Sequence, residues 1–158
     1  MSETVAPRSP AVGKLLPMRT LDLDDPKQAR AEDKLRHEIA LWLTTVSLDG
    51  QPQSTPIWFH WDGSTLLFYS KPGQPKLVNI ASNAKVSLHL VGDPEGEDIV
   101  TIEGVAAVDP DAPGSDALSP YADKYRSAID GFGWTPASMA ADYSVAVRVT
   151  PTRFRVVS

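Results

Sequence analysis

The chain has 158 residues, 42% of them hydrophobic, enough for one compact domain with a sizeable core. Its 15 Lys and Arg against 20 Asp and Glu leave a net charge of −5, which excludes a general nucleic-acid binder, a class that is normally basic. The absence of cysteine excludes disulfides, thiolate catalysis and Cys-ligated metals.

The first residues, MSETVAPRSP, lack the basic start and apolar stretch of a secretory signal. No apolar run approaches the length that spans a membrane. Both features fit a cytoplasmic protein. Residues 1–24 hold four Pro or Gly and no sustained periodicity, so they are expected to form a flexible N-terminal arm before a folded domain over 25–158. At Asp24-Asp25-Pro26 a helix start is signalled, because either aspartate can cap free N–H groups and Pro26 suits a first-turn position. Its apolar positions, Ala29, Leu35 and Ile39, are sparse, which predicts a surface helix.

Strands follow. ALWLTTVSL (40–48) ends at Asp49-Gly50, QSTPIWFHW (53–61) ends at Asp62-Gly63, and TLLFYS (65–70) completes an antiparallel meander through these hairpin signals. PKLVNIASN (75–83) predicts a short helix with Leu77, Val78 and Ile80 inward, before the strand KVSLHLV (85–91). DIVTIEGVAAV (98–108) predicts a long strand in which Gly104 marks a bend or bulge. Residues 111–141 read as helices and loops. SVAVRV and TRFRVV read as two strands separated by Thr150-Pro151. Six or seven short strands with inserted helices suggest a small antiparallel barrel flanked by helices, with a sandwich fitting the lengths and turns nearly as well.

The stretch FYSKPGQPKLVN (68–79) has the parts of an anion site. Tyr69 and Ser70 end a strand, Lys71 opens a Pro-Gly turn, and Lys76 falls in the first turn of a helix, where free donors and partial positive charge favour a phosphate. A solvated turn with surface lysines fits the same residues, since no GxxxxGK[ST] spacing is present. His37, His60 and His89 form no ligand pair, and DPEGED (93–98) lacks calcium-loop spacing. No serine stands in a nucleophile-elbow context. Trp58 and Trp61 are expected on opposite faces of one strand, so at least one faces a pocket or another subunit.

The run STPIWFHWDGSTLLFYSKPGQPKLVNIASNAKVSLHL (54–90) resembles the flavin-binding split-barrel family typified by pyridoxamine 5′-phosphate oxidase. Tyr69-Ser70 stands at the family's aromatic-hydroxyl pair, Lys76 at its phosphate-binding lysine, and Asn83 to Leu88 at its NPRVSL segment. The oxidase has an arginine and a lysine at the ends of the first strand and an arginine just before the loop lysine; here those positions are Ser54, Phe59 and Pro75. The departures, with PQSTPIWF and YSKPGQPKLVNI, resemble the branch that uses the deazaflavin coenzyme F-420. The resemblance implies an antiparallel split β-barrel with flanking helices, a homodimer with two cofactor sites at its interface, and hydride transfer to a small conjugated organic substrate. FMN is the alternative cofactor, and a non-catalytic carrier the alternative role. Ser54, Thr55, Pro56, Ile57, Trp58 and Phe59 are expected along the cofactor ring and its side chain. Tyr69, Ser70, Lys71 and Lys76 are expected at the phosphate, with Asn79 one helical turn on. No side chain is assigned a catalytic role, because the cofactor performs the redox chemistry.

Overall fold

The computed structural model describes residues 17–157. Helix α1 (Pro26–His37) leads into β1 (Leu41–Val46), β2 (Pro52–Ile57), β3 (His60–Trp61) and β4 (Leu66–Ser70). Helix α2 (Pro75–Ser82), β5 (Lys85–Leu90), β6 (Ile99–Val108), helices α3 (Ser119–Gly131) and α4 (Pro136–Asp142), and β7 (Val145–Val157) complete the chain. The seven strands form one antiparallel sheet in the order β2-β1-β5-β6-β7-β4-β3, curled into a split β-barrel flanked by the helices.

The barrel interior takes one face of each main strand: Leu41 and Leu43, Val86 and Leu88, Val100 and Ile102, Val147 and Val149. Ala31 and Leu35 of α1 and Leu21 of the preceding segment pack against the same core. That segment also donates the Arg19 N–H to the Pro151 carbonyl at 2.9 Å. The part of the expected arm before residue 17 lies outside the described residues.

Strand β4 is buried at all five positions because both of its faces are covered. Leu66 and Phe68 point into the barrel, while Leu67 and Tyr69 sit under Tyr121, Tyr125 and Ile129 of α3 and Met139 of α4. The i, i+4, i+8 spacing of those α3 residues gives the helix its inward stripe.

Three expectations are corrected. The stretch 53–61 is not one strand: β2 pairs with β1 and β3 with β4, at opposite edges of the sheet, and Trp58-Phe59 carries the chain between them. The two C-terminal strands are one, β7, with the irregularity absorbed between Glu103 and Gly104. There Gly104 pairs with Pro151 and Glu103 with Arg153, leaving Thr152 as the extra residue of a bulge. A Cβ on Gly104 would stand 2.8 Å from Val149 Cγ1 and 2.9 Å from the Thr150 carbonyl oxygen, so glycine alone fits that approach. In α2 the inward positions are Asn79 and Ile80, with Leu77 partly buried, while Val78 is exposed. Among the described residues no helix is long and apolar enough to cross a membrane.

The crossing leaves backbone groups at Phe59 that neither edge strand pairs, and α3 supplies their partners. The Tyr125 hydroxyl accepts from Phe59 N–H at 2.9 Å and donates to the Ile39 carbonyl at 2.6 Å. Lys124 Nζ donates to the Phe59 carbonyl at 3.2 Å and lies 3.9 Å from the centroid of its ring. Burial pushes the Tyr125 phenol above its ordinary range, keeping the donor protonated.

Tyr125→Phe leaves the Phe59 N–H and the Ile39 carbonyl without their partner, so chemical denaturation should show a loss of about 1–3 kcal/mol. Lys124 tests the same crossing by pH. Burial pulls its folded pKa down to about 8, against about 10.4 in an unfolded chain. Between those values the unfolded chain holds a proton that the folded chain has released, so this group makes stability rise with pH there. Lys124→Met should remove that rise when denaturation midpoints are compared across the window; identical pH slopes in the two proteins would contradict it.

Candidate functional site

Two recesses lie along β2, and most of the expected site residues fall into one or the other. The first, a cleft of about 510 Å³, is lined by Thr45, Gln53, Ser54, Thr55, Gln74, Pro75 and Lys76. Edge strand β2 forms one wall and the start of α2 the other. Gln74 precedes the helix and makes no side-chain capping bond; Pro75 has no N–H, and the Leu77 and Val78 N–H groups donate to the Gln74 carbonyl at 3.0 and 3.3 Å, which leaves the Lys76 N–H as the first-turn donor for the cleft. Lys76 is half-buried, and desolvation lowers its pKa, the response of a cation that has lost water without gaining a counter-charge. In a chain with 20 acidic residues, this cleft has no carboxylate in its lining. A lysine, three hydroxyls and two carboxamides beside a helix start favour an anion with several oxygens, such as a phosphoryl group.

The second recess, about 260 Å³, is lined by Pro56, Trp58, Tyr69, Tyr121, Phe132, Trp134, Met139 and Tyr143. Trp58 stacks on Tyr125 at 4.5 Å between centroids and 7° between planes, which fixes one wall. Phe132 and Trp134 stack at 4.9 Å and are exposed at the rim, on a turn whose Gly133 has φ of 73°. Burial pushes the Tyr121 phenol above its ordinary range, so it remains a protonated donor. Such walls suit a planar ring system.

Ser54, Thr55 and Lys76 thus meet in the polar cleft, and Pro56, Trp58 and Tyr69 in the aromatic recess. Pro56 sits on an edge strand, where its missing N–H leaves no gap in a ladder. The rest are placed otherwise. Ile57 and Phe59 turn into the barrel core, so their side chains cannot lie along a cofactor ring. Ser70 is fully buried and donates its hydroxyl to the Lys71 carbonyl at 2.9 Å, away from any phosphate. The Tyr69 hydroxyl donates to the Pro113 carbonyl at 2.8 Å, so this residue offers a ring edge rather than a phosphate ligand. Lys71 lies 5.3 Å over the Tyr143 ring, beside the aromatic recess rather than in the cleft. Asn79 is buried behind the cleft and reaches it through Thr45 and Gln53, to each of which it donates at 2.9 Å.

Trp58 faces a recess, as one of the tryptophan pair was expected to do, while Trp61 enters the barrel and donates to Glu32 at 2.6 Å. Sequence reasoning missed Thr45, Gln53 and Gln74, which carry no motif. It also missed Tyr121, Phe132, Trp134, Met139 and Tyr143, although the aromatic pair flanking Gly133 was a visible signal. Among the described residues no group of three or more His, Asp or Glu could hold a metal ion.

Residues 27–158 match the pyridoxamine 5′-phosphate oxidase family. The chain belongs to that family. Among solved structures, an F420 reductase is 29% identical over 78% of this chain and 94% of its own, with a TM-score of 0.61. A conserved hypothetical protein from Mycobacterium tuberculosis is 21% identical over 90% and 89% of the two chains, with a TM-score of 0.68. HutZ, the heme storage protein from Vibrio cholerae, is 18% identical over 81% and 93%, with a TM-score of 0.57. The last two likenesses show the oxidase-family fold alone. No curated protein matches the chain.

Proposed function

We propose that this member of the pyridoxamine 5′-phosphate oxidase family is an oxidoreductase dependent on the deazaflavin coenzyme F-420, transferring hydride between that cofactor and a small conjugated organic substrate. The observation that carries the reading is the succession of the two recesses along β2: Gln53, Ser54 and Thr55 line an anion cleft without carboxylates, and the next residue, Pro56, lines an aromatic pocket. A cofactor with a phosphate at one end and a planar ring at the other matches that order. The bound deazaflavin supplies the hydride chemistry.

The chain's own residues bind, orient and exclude water. Lys76, Ser54 and Thr55 hold the phosphate end. Pro56 presents a flat apolar face to the ring, and Trp58, held by its stack on Tyr125, limits its slide. Phe132, Trp134 and Tyr143 shield the ring end, where the substrate meets it.

The absence of the oxidase's two arginines and its strand lysine, whose positions hold Ser54, Pro75 and Phe59 here, favours F-420 over FMN, and the likeness to an F420 reductase points the same way. FMN remains the second reading because the family match itself favours it. A homodimer belongs to the proposal as well. Trp42 is 38% exposed on the outer face of β1, in register with Pro56 on one side and His89 on the other. A tryptophan left there beside the cofactor strand suits a subunit interface.

Lys76→Ala removes a charge-assisted bond of roughly 1.5–3 kcal/mol, so F-420 affinity should fall about ten- to a hundredfold. Lys85→Ala, at an exposed position of β5, is the control and should bind as the parent does. Titrations with F-420 and with FMN check both site and cofactor: tighter parent binding of FMN selects the second reading, and unchanged binding by Lys76→Ala rejects the cradle. Oxidation of reduced F-420 by an added enone separates an enzyme from a carrier. Sedimentation of the cofactor-loaded protein at micromolar concentration should give a dimer, and Trp42→Glu should shift it toward monomer.

A further inference from the structure

Thr45 and Gln53 face each other across β1 and β2, and Asn79 of α2 lies against both. Asn79 is 6% exposed and Thr45 2% exposed, so the bond between these two is sealed from water, while Gln53 stands at the exposed side of the contact. Asn79 Nδ2 donates to Thr45 Oγ1 at 2.9 Å and to Gln53 Oε1 at 2.9 Å, committing both of its protons. A carboxamide has one acceptor end and one donor end. With its oxygen held by Asn79, Gln53 keeps its NH2 on the side away from Asn79, free for the cleft that it lines with Ser54, Thr55 and Lys76.

We infer that Gln53 is a further anion-binding side chain of this cleft, and that Asn79 is the positioning residue that turns its carboxamide donor-side out toward a phosphoryl group. The inference rests on the cradle reading above. An unheld glutamine could rotate and offer its carbonyl oxygen, which repels a phosphoryl oxygen. The neighbouring hydroxyls follow the same logic. Thr44 and Ser54 share a hydrogen bond of 2.7 Å, and a proton given by Thr44 leaves that of Ser54 free for the ligand. Thr55 has only a 3.5 Å contact to the Pro56 carbonyl. The cleft then presents donors from every wall. Asn79 contributes although it lies behind the cleft, which reconciles its burial with the role expected one turn after Lys76.

The test is calorimetric titration of the full chain with F-420, FMN and inorganic phosphate, on the parent, Lys76→Ala, Gln53→Ala, Asn79→Leu and the Gln53→Ala/Asn79→Leu double variant. Gln53→Ala should weaken binding of the phosphate-bearing probes about tenfold, as loss of a hydrogen bond to a charged group does. Asn79→Leu should weaken it by a similar factor. The double variant should bind no worse than Gln53→Ala alone, because the two residues act as one unit. A merely structural role for Asn79 would instead give losses that add. If Asn79→Leu fails to fold, Asn79→Asp keeps the shape and accepts from the Gln53 NH2, so it should weaken the parent more than the Gln53→Ala background. Normal binding by Gln53→Ala beside weakened Lys76→Ala overturns this inference alone. Normal binding by Lys76→Ala, or no binding of any probe by the parent, overturns the cradle and this inference together.

Discussion

Two residues, Trp58 and Phe59, join the two edges of the sheet, and the functional side of the molecule depends on how that crossing is held. A sheet with β2 at one end and β3 at the other has open edges, and consecutive strands at opposite ends must be linked across the split. The link cannot use ladder hydrogen bonds, so its buried polar groups need partners from elsewhere. Tyr125 and Lys124, adjacent on α3, provide them. The Tyr125 ring then supports Trp58, whose other surroundings form the aromatic recess. One helical turn therefore closes the barrel and sets a wall of the candidate site.

Helix α1 is anchored with comparable economy. Glu32, only 9% exposed, accepts from Trp61 Nε1 at 2.6 Å and pairs with Arg36 one turn on, so its buried charge is matched on both oxygens. Asp98, before β6, receives Arg30 and Lys34, each at 2.8 Å. Those cations hold its carboxyl below the usual range. Acidic residues are thus spent on α1 and the far loops. The cleft at α2 is left with a lysine and neutral donors, which is how an acidic chain can still present a local site for an anion.

The oxidase-family barrel leaves the choice of ligand to its surface. Proteins named as an F420 reductase and as a heme storage protein share this fold with the present chain. In this chain the candidate site stands on β2, on the turn before α2 and in the insertion between β6 and β7. In this chain the insertion is α3 and α4, and it contributes Tyr121, Phe132, Trp134, Met139 and Tyr143 to the aromatic recess.

Much of this was legible in local pattern. Asp25-Pro26 starts α1, with the Asp25 carboxylate accepting from Lys27 N–H, because capping is a contact within one turn. Asp49-Gly50 and Asp62-Gly63 turn the chain with φ of 86° and 95° at their glycines, a conformation that residue type alone selects. The alternation of β5 and β6, the irregularity at Gly104 and the place of Lys76 at a helix start are equally local, whereas the meeting of Lys76 with Ser54 and Thr55, two residues read as lying along the ring, came only with the fold. What the tertiary structure decided is where alternation stops meaning what it usually means. Ile57, Trp58, Phe59 and Trp61 read as one strand, yet the chain changes sheet edge between them, because pairing partners are set by the curled sheet as a whole and not by the segment. Thr150-Pro151 reads as a break, yet the bulge opposite Gly104 lets β7 run through it. Asn79 reads as a ligand and Val78 as core, but the partners of Asn79, Thr45 and Gln53, lie 34 and 26 residues away. Contacts across that separation leave no periodic trace, so the helix face toward the core and the aim of Gln53 exist only once the chain has folded.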